Sequence, residues 1–139
     1  YTERSLMLRF DSFAGMVVCT RHSRGLRRWL DIFARAFGSY SLKYGRGGWL
    51  SEHNRVRSEP NLAFEVWGLD LQGVRKLVRL ARRFQAAEDQ ESVGIFWLTP
   101  QTGWQARVVW AADWPELEAE ITAAFSQVRV TQGGGGWQG

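Results

Sequence analysis

Glu52 and His53, followed closely by Arg55 and Arg57, bring an acid, a base and two cations onto one short segment. A His with a carboxylate beside it can act as a general base, and flanking guanidinium groups can hold an anionic substrate. The same composition also describes a solvated polar loop, the commoner use of such residues. Cys19 and His22 have ligand-like spacing, but a structural zinc site needs four ligands, and only His53 and scattered carboxylates remain to complete one. No metal and no cofactor are expected. Gly45, Gly47 and Gly48 lie in Gly-Arg-Gly-Gly-Trp, which lacks the Gly-Lys-Ser/Thr ending of a phosphate loop, so they read as turn or bulge glycines. With no Gly-x-Ser-x-Gly elbow and no His-Glu-x-x-His helix, the reading leans away from an enzyme.

The cations form the larger signal. Residues 1–83 hold 16 Lys or Arg against 7 Asp or Glu, a balance of +9, while residues 84–139 hold 2 against 7, a balance of −5. Sixteen of the 18 cations are Arg, the side chain suited to forked contacts with phosphate or carboxylate and to stacking on flat rings. Arg24, Arg27, Arg28 and Arg35 on one helix and Arg75, Lys76, Arg79, Arg82 and Arg83 on another would form one basic field, provided the helices lie side by side with their matched cations adjacent. Like charges at i, i+3 and i+4 weaken a helix slightly, and a polyanion is the usual reason to keep them. A merely solvated helix face is the competing reading.

A second cluster follows from strand alternation. With Leu6, Leu8, Leu62, Phe64, Val93, Ile95 and Val108 turned towards the helices, Met7, Arg9, Trp67, Phe96, Arg107 and Val109 share the opposite face. Rings interleaved with Arg suit single-stranded nucleic acid, whose bases stack while guanidinium groups take phosphates. The same face would suit a protein partner, or be buried as core.

The elements that must position these residues can be read from periodicity. Residues 24–37 place Leu26, Trp29, Leu30, Phe33 and Phe37 on one stripe, with Ser23 as N-cap and Gly38 as stop. A second helix over 71–87 opens at Asp70 and buries Val74, Leu77, Ala81 and Phe84. A third follows Asp113, Pro115 and Glu116, with Leu117, Ile121, Ala124 and Phe125 inward. Period-two segments predict hairpins over 6–10 with 15–20, 40–46 with 62–67 across a long connection, and 92–98 with 104–110, and 127–131 could add a last strand. Gly25 to Leu30 matches Gly73 to Val78 in kind at an offset of 48, which suggests repeated β-β-α units. The third unit replaces the exposed cations with Glu116, Glu118 and Glu120.

The expected fold is therefore α+β: an antiparallel sheet with three helices on one side, a single domain over 1–131 and a flexible Gly-rich tail over 132–139. Such units resemble, in architecture, several single-strand-binding folds and the ferredoxin-like plait. With 45% hydrophobic residues, no apolar run of about 18 residues and one cysteine, the chain reads as a soluble cytoplasmic protein. The leading expectation is a non-enzymatic nucleic-acid-binding protein. The alternatives are an adaptor or homo-oligomer joining its basic front to an acidic surface, and a small-molecule enzyme centred on Glu52, His53 and Arg55.

Overall fold

A computed structural model of the 139-residue chain describes residues 12–19 and 25–128. The elements run β1 (Phe13–Cys19), α1 (Leu26–Phe37), β2 (Ser41–Leu50), β3 (Val56–Trp67), α2 (Leu71–Ala87), β4 (Ser92–Thr99) and β5 (Gly103–Trp110). A 3-10 turn (Ala111–Asp113) then leads into α3 (Trp114–Phe125). The strands form one five-stranded sheet in the order β2-β3-β1-β4-β5, with every neighbouring pair antiparallel.

That order fixes the connectivity. β1 and β2 both run against β3, so α1 crosses over β3 to join two strands of the same direction. α2 likewise crosses over β1 to join β3 and β4. Two interleaved β-α-β crossovers make the ferredoxin-like plait, extended here by β5 and α3. The β-β-α units do not tile as a repeat, because β1 is inserted between the strands of the second and third units. The expected strand over 6–10, Ser23, Arg9, Arg24 and the tail over 132–139 lie outside the described residues.

Alternation along each strand sends one side chain in two towards the helices. Ala14, Met16, Val18, Leu62, Phe64, Val66, Val93, Ile95 and Trp97 form one buried cluster with Trp29 and Phe33 of α1, Val74, Leu77 and Phe84 of α2, and Leu117 and Ile121 of α3. The helix stripes read from spacing are thus the core; Leu26's side chain lies outside the described residues. Asp70 caps α2 as its position predicts, its Oδ1 accepting from Gly73 N at 2.9 Å, and Gly38 ends α1 at φ +80°. Asp113 behaves differently. Its carboxylate accepts from Trp110 N at 3.0 Å and so closes the 3-10 turn before α3. Gln85, buried on α2, donates to Glu91 O and Val109 O and accepts from Trp114 Nε1, which ties α2 to β5 and α3.

Two expectations about strands are corrected. β2 and β3 run on past the expected 46 and 62 and pair as far as Leu50 and Val56, leaving a turn over 51–55 in place of a long loop. The glycines are strand residues: a Cβ at Gly45 or Gly47 would press on the Asn61 amide, which lies between them. β5 is turned over relative to expectation. Val109 is buried towards the helices and Val108 faces away. Pairing with β4 decides this, since Val93, Ile95 and Trp97 lie opposite Val109, Arg107 and Gln105. Of residues 127–131, 127 and 128 lie in no strand and the rest fall outside the described residues.

Candidate functional site

No helix among the described residues is long and apolar enough to cross a membrane. All three helices cover one face of the sheet, and register places the other face's side chains in rows. One row runs Trp67, Phe13, Leu98, Trp104; the next Ser41, Glu65, Gly15, Phe96, Ala106; the next Lys43, Ala63, Val17, Gly94, Val108. The first row holds an aromatic cluster. Phe13 stacks on Trp67 at 4.2 Å between centroids and meets Trp104 edge-on at 4.8 Å. Phe96 from the next row approaches Phe13 at 5.9 Å.

Glu65 stands at the centre of this face, and its side chain is only 8% exposed. A carboxylate is expensive to withdraw from water unless it is paired. Lys43 Nζ lies 3.1 Å from Oε1 but is itself two-thirds exposed. Between Glu65 and Phe96 the row holds Gly15, where a Cβ would collide with the Phe96 ring and the Phe64 carbonyl. The missing side chain lets the ring lie across β1. The next row holds Ala63, Val17 and Gly94. The Phe96 ring thus lies over β1 on the same row as the Glu65 carboxylate. Alternation along β3 puts Glu65 on this face beside Ala63 and Trp67. Its one distinguishing signal was a carboxylate within the apolar run Leu-Ala-Phe-Glu-Val-Trp.

The sequence-predicted sites are dispersed. Glu52 and His53 sit 3.9 Å apart at the exposed tip of the β2–β3 hairpin. The basic field is broken by helix direction. Lys76, near the start of α2, donates to Ala36 O at the end of α1 and covers Phe37. Glu88, just past the end of α2, accepts from Trp29 Nε1 at 2.8 Å and pairs with Arg28 at 3.7 Å near the start of α1. The helices are antiparallel, so Arg27 and Arg28 lie at the far end from Arg75 and Lys76. Arg35 pairs with Asp31 at 2.9 Å. Arg75 and Arg79 line a 440 Å³ groove against Pro115 and Glu118 of α3, while Arg27, Arg82 and Arg83 are exposed. Arg107 is on the helix side, its Nη2 donating to Glu120 Oε2 at 3.2 Å and its guanidinium 5.6 Å from the Trp97 ring. Of the described members of the ring-and-Arg cluster, Trp67 and Phe96 are together on the open face, while Met7 and Arg9 lie outside the described residues. Among the described residues no group of three metal-ligating side chains occurs.

No protein-family model and no curated protein matches this sequence. Solved structures do match in fold. A phage SAM lyase in complex with S-methyl-5'-thioadenosine superposes with a TM-score of 0.56 at 13% identity, over 76% of this chain and 92% of that one. The same enzyme in its apo state gives 0.55 at 13% identity, over 73% and 90%. A PII-like CutA protein from Nostoc sp. PCC 7120 gives 0.36 at 16%, over 86% and 99%. The expectation of a non-enzymatic nucleic-acid binder is corrected accordingly. The fold is shared with an enzyme of small-molecule chemistry, the basic field is divided, and Arg107 is on the wrong face to join a stacking surface.

Proposed function

We propose that this chain binds a sulfonium nucleoside of the S-adenosylmethionine type on the open sheet face, beside Glu65 and Phe96, and that it acts on that ligand as an enzyme. The observation that carries the reading is Glu65: a nearly buried carboxylate on the same row as the Phe96 ring, which lies over Gly15. Its ion-pair partner Lys43 is itself two-thirds exposed. A sulfonium is a cation with no N–H to donate, so it is recognised by a carboxylate's charge and by an aromatic face. The adenine of the same ligand offers a flat ring to stack on Phe96. The fold neighbour whose bound molecule is a methylthio-nucleoside supports the same ligand class. The lone Cys19 is in keeping with a cytoplasmic protein.

The chemistry assigns Glu65 a defined role. S-adenosylmethionine is positively charged at sulfur, whereas S-methyl-5'-thioadenosine is a neutral thioether. As the carbon–sulfur bond to the amino-acid arm breaks, its electron pair returns to sulfur, an oxygen of the arm's own carboxylate bonds to the freed carbon to close a lactone, and the charge facing Glu65 fades. An interaction stronger in the ground state than in the transition state aids recognition and product release and does not accelerate the step. Glu65 is thus a specificity determinant for charged sulfur.

Titration calorimetry with both ligands tests this. The wild-type protein should prefer S-adenosylmethionine, and Glu65→Gln, which keeps the side chain's size, should weaken that ligand about tenfold or more, the scale of one charge-assisted contact. The thioether should be little affected. Incubation with S-adenosylmethionine should release S-methyl-5'-thioadenosine, read by chromatography. Failure of the wild-type protein to bind either ligand, or equal weakening of both in the variant, would overturn the reading.

A further inference from the structure

On the helix side of the molecule, charged groups of both signs converge on the groove between α2 and α3. Gln85, near the end of α2, accepts from Trp114 Nε1 at the start of α3, so the two helices run in opposite directions. Arg75 lies about 15 Å back from Gln85 along α2, and Thr122 about 12 Å on from Trp114 along α3, at the rise of an α-helix. Arg75 is therefore level with Thr122, and Arg79, one turn later, with Glu118 and Ala119. All five line the groove together with the buried Val78. Its volume of 440 Å³ falls in the range of about 300–1,000 Å³ typical of small-molecule sites.

Several cations on this side of the molecule have partners of their own. Arg28 pairs with Glu88, Arg35 with Asp31 and Arg107 with Glu120, and Lys76 donates to Ala36 O. Among the described residues Arg75 and Arg79 form no ion pair, although Glu118 lines the same groove. At i and i+4 the two guanidinium groups are neighbours on one face of α2, where like charges repel. Both are exposed, and Glu118 on the facing helix is half-buried. The groove thus offers two cations and one carboxylate at separate points, a balance of +1.

We propose that the groove between α2 and α3 binds a small amino dicarboxylate, an acidic α-amino acid such as L-glutamate. The ligand class follows from the charges. Each guanidinium group can take one carboxylate through paired N–H donors. An ammonium group suits Glu118, and the Thr122 hydroxyl can donate or accept beside it. The single net negative charge of such a ligand answers the groove's balance of +1. A plain anion such as phosphate would meet the Arg pair but be repelled by Glu118, so the carboxylate selects for ligands that carry an amine. Glu65 and Phe96 are on the open face of the sheet, and the inference is independent of the sulfonium reading.

Titration calorimetry of the full chain with L-glutamate, glutarate and inorganic phosphate, at low ionic strength where charge recognition is least screened, tests it. L-glutamate should bind at one site per chain. Glutarate, which keeps both carboxylates and lacks the amine, should bind about tenfold or more weakly, the scale of one charge-assisted contact. Arg75→Gln combined with Arg79→Gln should lose both ligands. Glu118→Gln should weaken L-glutamate about tenfold and leave glutarate unchanged or tighter, so that the preference for the amine disappears. None of these side chains is buried, so melting should be ordinary; should the double variant melt early, Arg79→Lys, which keeps the charge and loses the fork, should still weaken L-glutamate. A wild-type chain that does not bind L-glutamate overturns the proposal. Equal weakening of L-glutamate and glutarate in Glu118→Gln does so too, as does phosphate binding as tightly as L-glutamate, which would make the groove a general anion site.

Discussion

The covered and open faces of the sheet are built from the same five strands and differ in what decides each residue. On the covered face, Met16, Phe64, Ile95 and Trp97 are almost fully buried, and their neighbours are other apolar side chains from three helices. On the open face, a nearly buried carboxylate sits among rings, and an apolar stripe on β5 is in water. The first pattern follows from the energetics of one chain folding alone. The second does not follow from apolar burial alone, and the proposed function rests on its buried carboxylate. Residues placed against the logic of the isolated fold are thus a guide to function.

Truncating the covered face should produce the largest effect. Phe64 is fully buried and stacks on Phe33 at 4.6 Å between centroids. Phe64→Ala should cost about 3–5 kcal/mol of unfolding free energy, measured by urea denaturation. A loss below about 1 kcal/mol would break the contrast, since it would place Phe64 on a face that tolerates vacancy.

A smaller effect is expected at a buried amide on the covered side of the sheet. Gln85 is the shared partner of the Trp114 indole and of the Glu91 and Val109 carbonyls. Gln85→Leu fills similar space but leaves these groups unpaired, at a cost of about 1–3 kcal/mol. Chemical denaturation of this variant sharpens the comparison by separating packing from polar satisfaction on one face.

The helices and their buried stripes were legible because each combines an apolar period with an end signal, Asp70 for α2 and Gly38 for α1. The face of β5 was not. Its sequence alternates so that Trp104, Ala106, Val108 and Trp110 make the more apolar side, and a rule that buries the apolar side chooses the wrong one. The partner strand overrules it: β4 must bury Val93, Ile95 and Trp97, and their cross-strand neighbours follow them inward. The basic field was misread for a related reason. Matching helices in sequence says nothing about their relative direction, and the interleaved crossovers make α1 and α2 antiparallel. Glu65 was visible as a charge within an apolar strand, but its burial depends on Gly15 and Phe96, which only the sheet order brings beside it.

The smallest expected effect is the one that most clearly separates the two faces. Val108→Ser removes apolar surface from an outward position that supports nothing within its own chain. Its unfolding free energy should lie within about 0.5 kcal/mol of the wild type, as for other surface changes. Urea denaturation reads the difference. A loss of about 2 kcal/mol or more would mean that Val108 belongs to the packed fold of the single chain, and the distinction between the two faces would fail at β5.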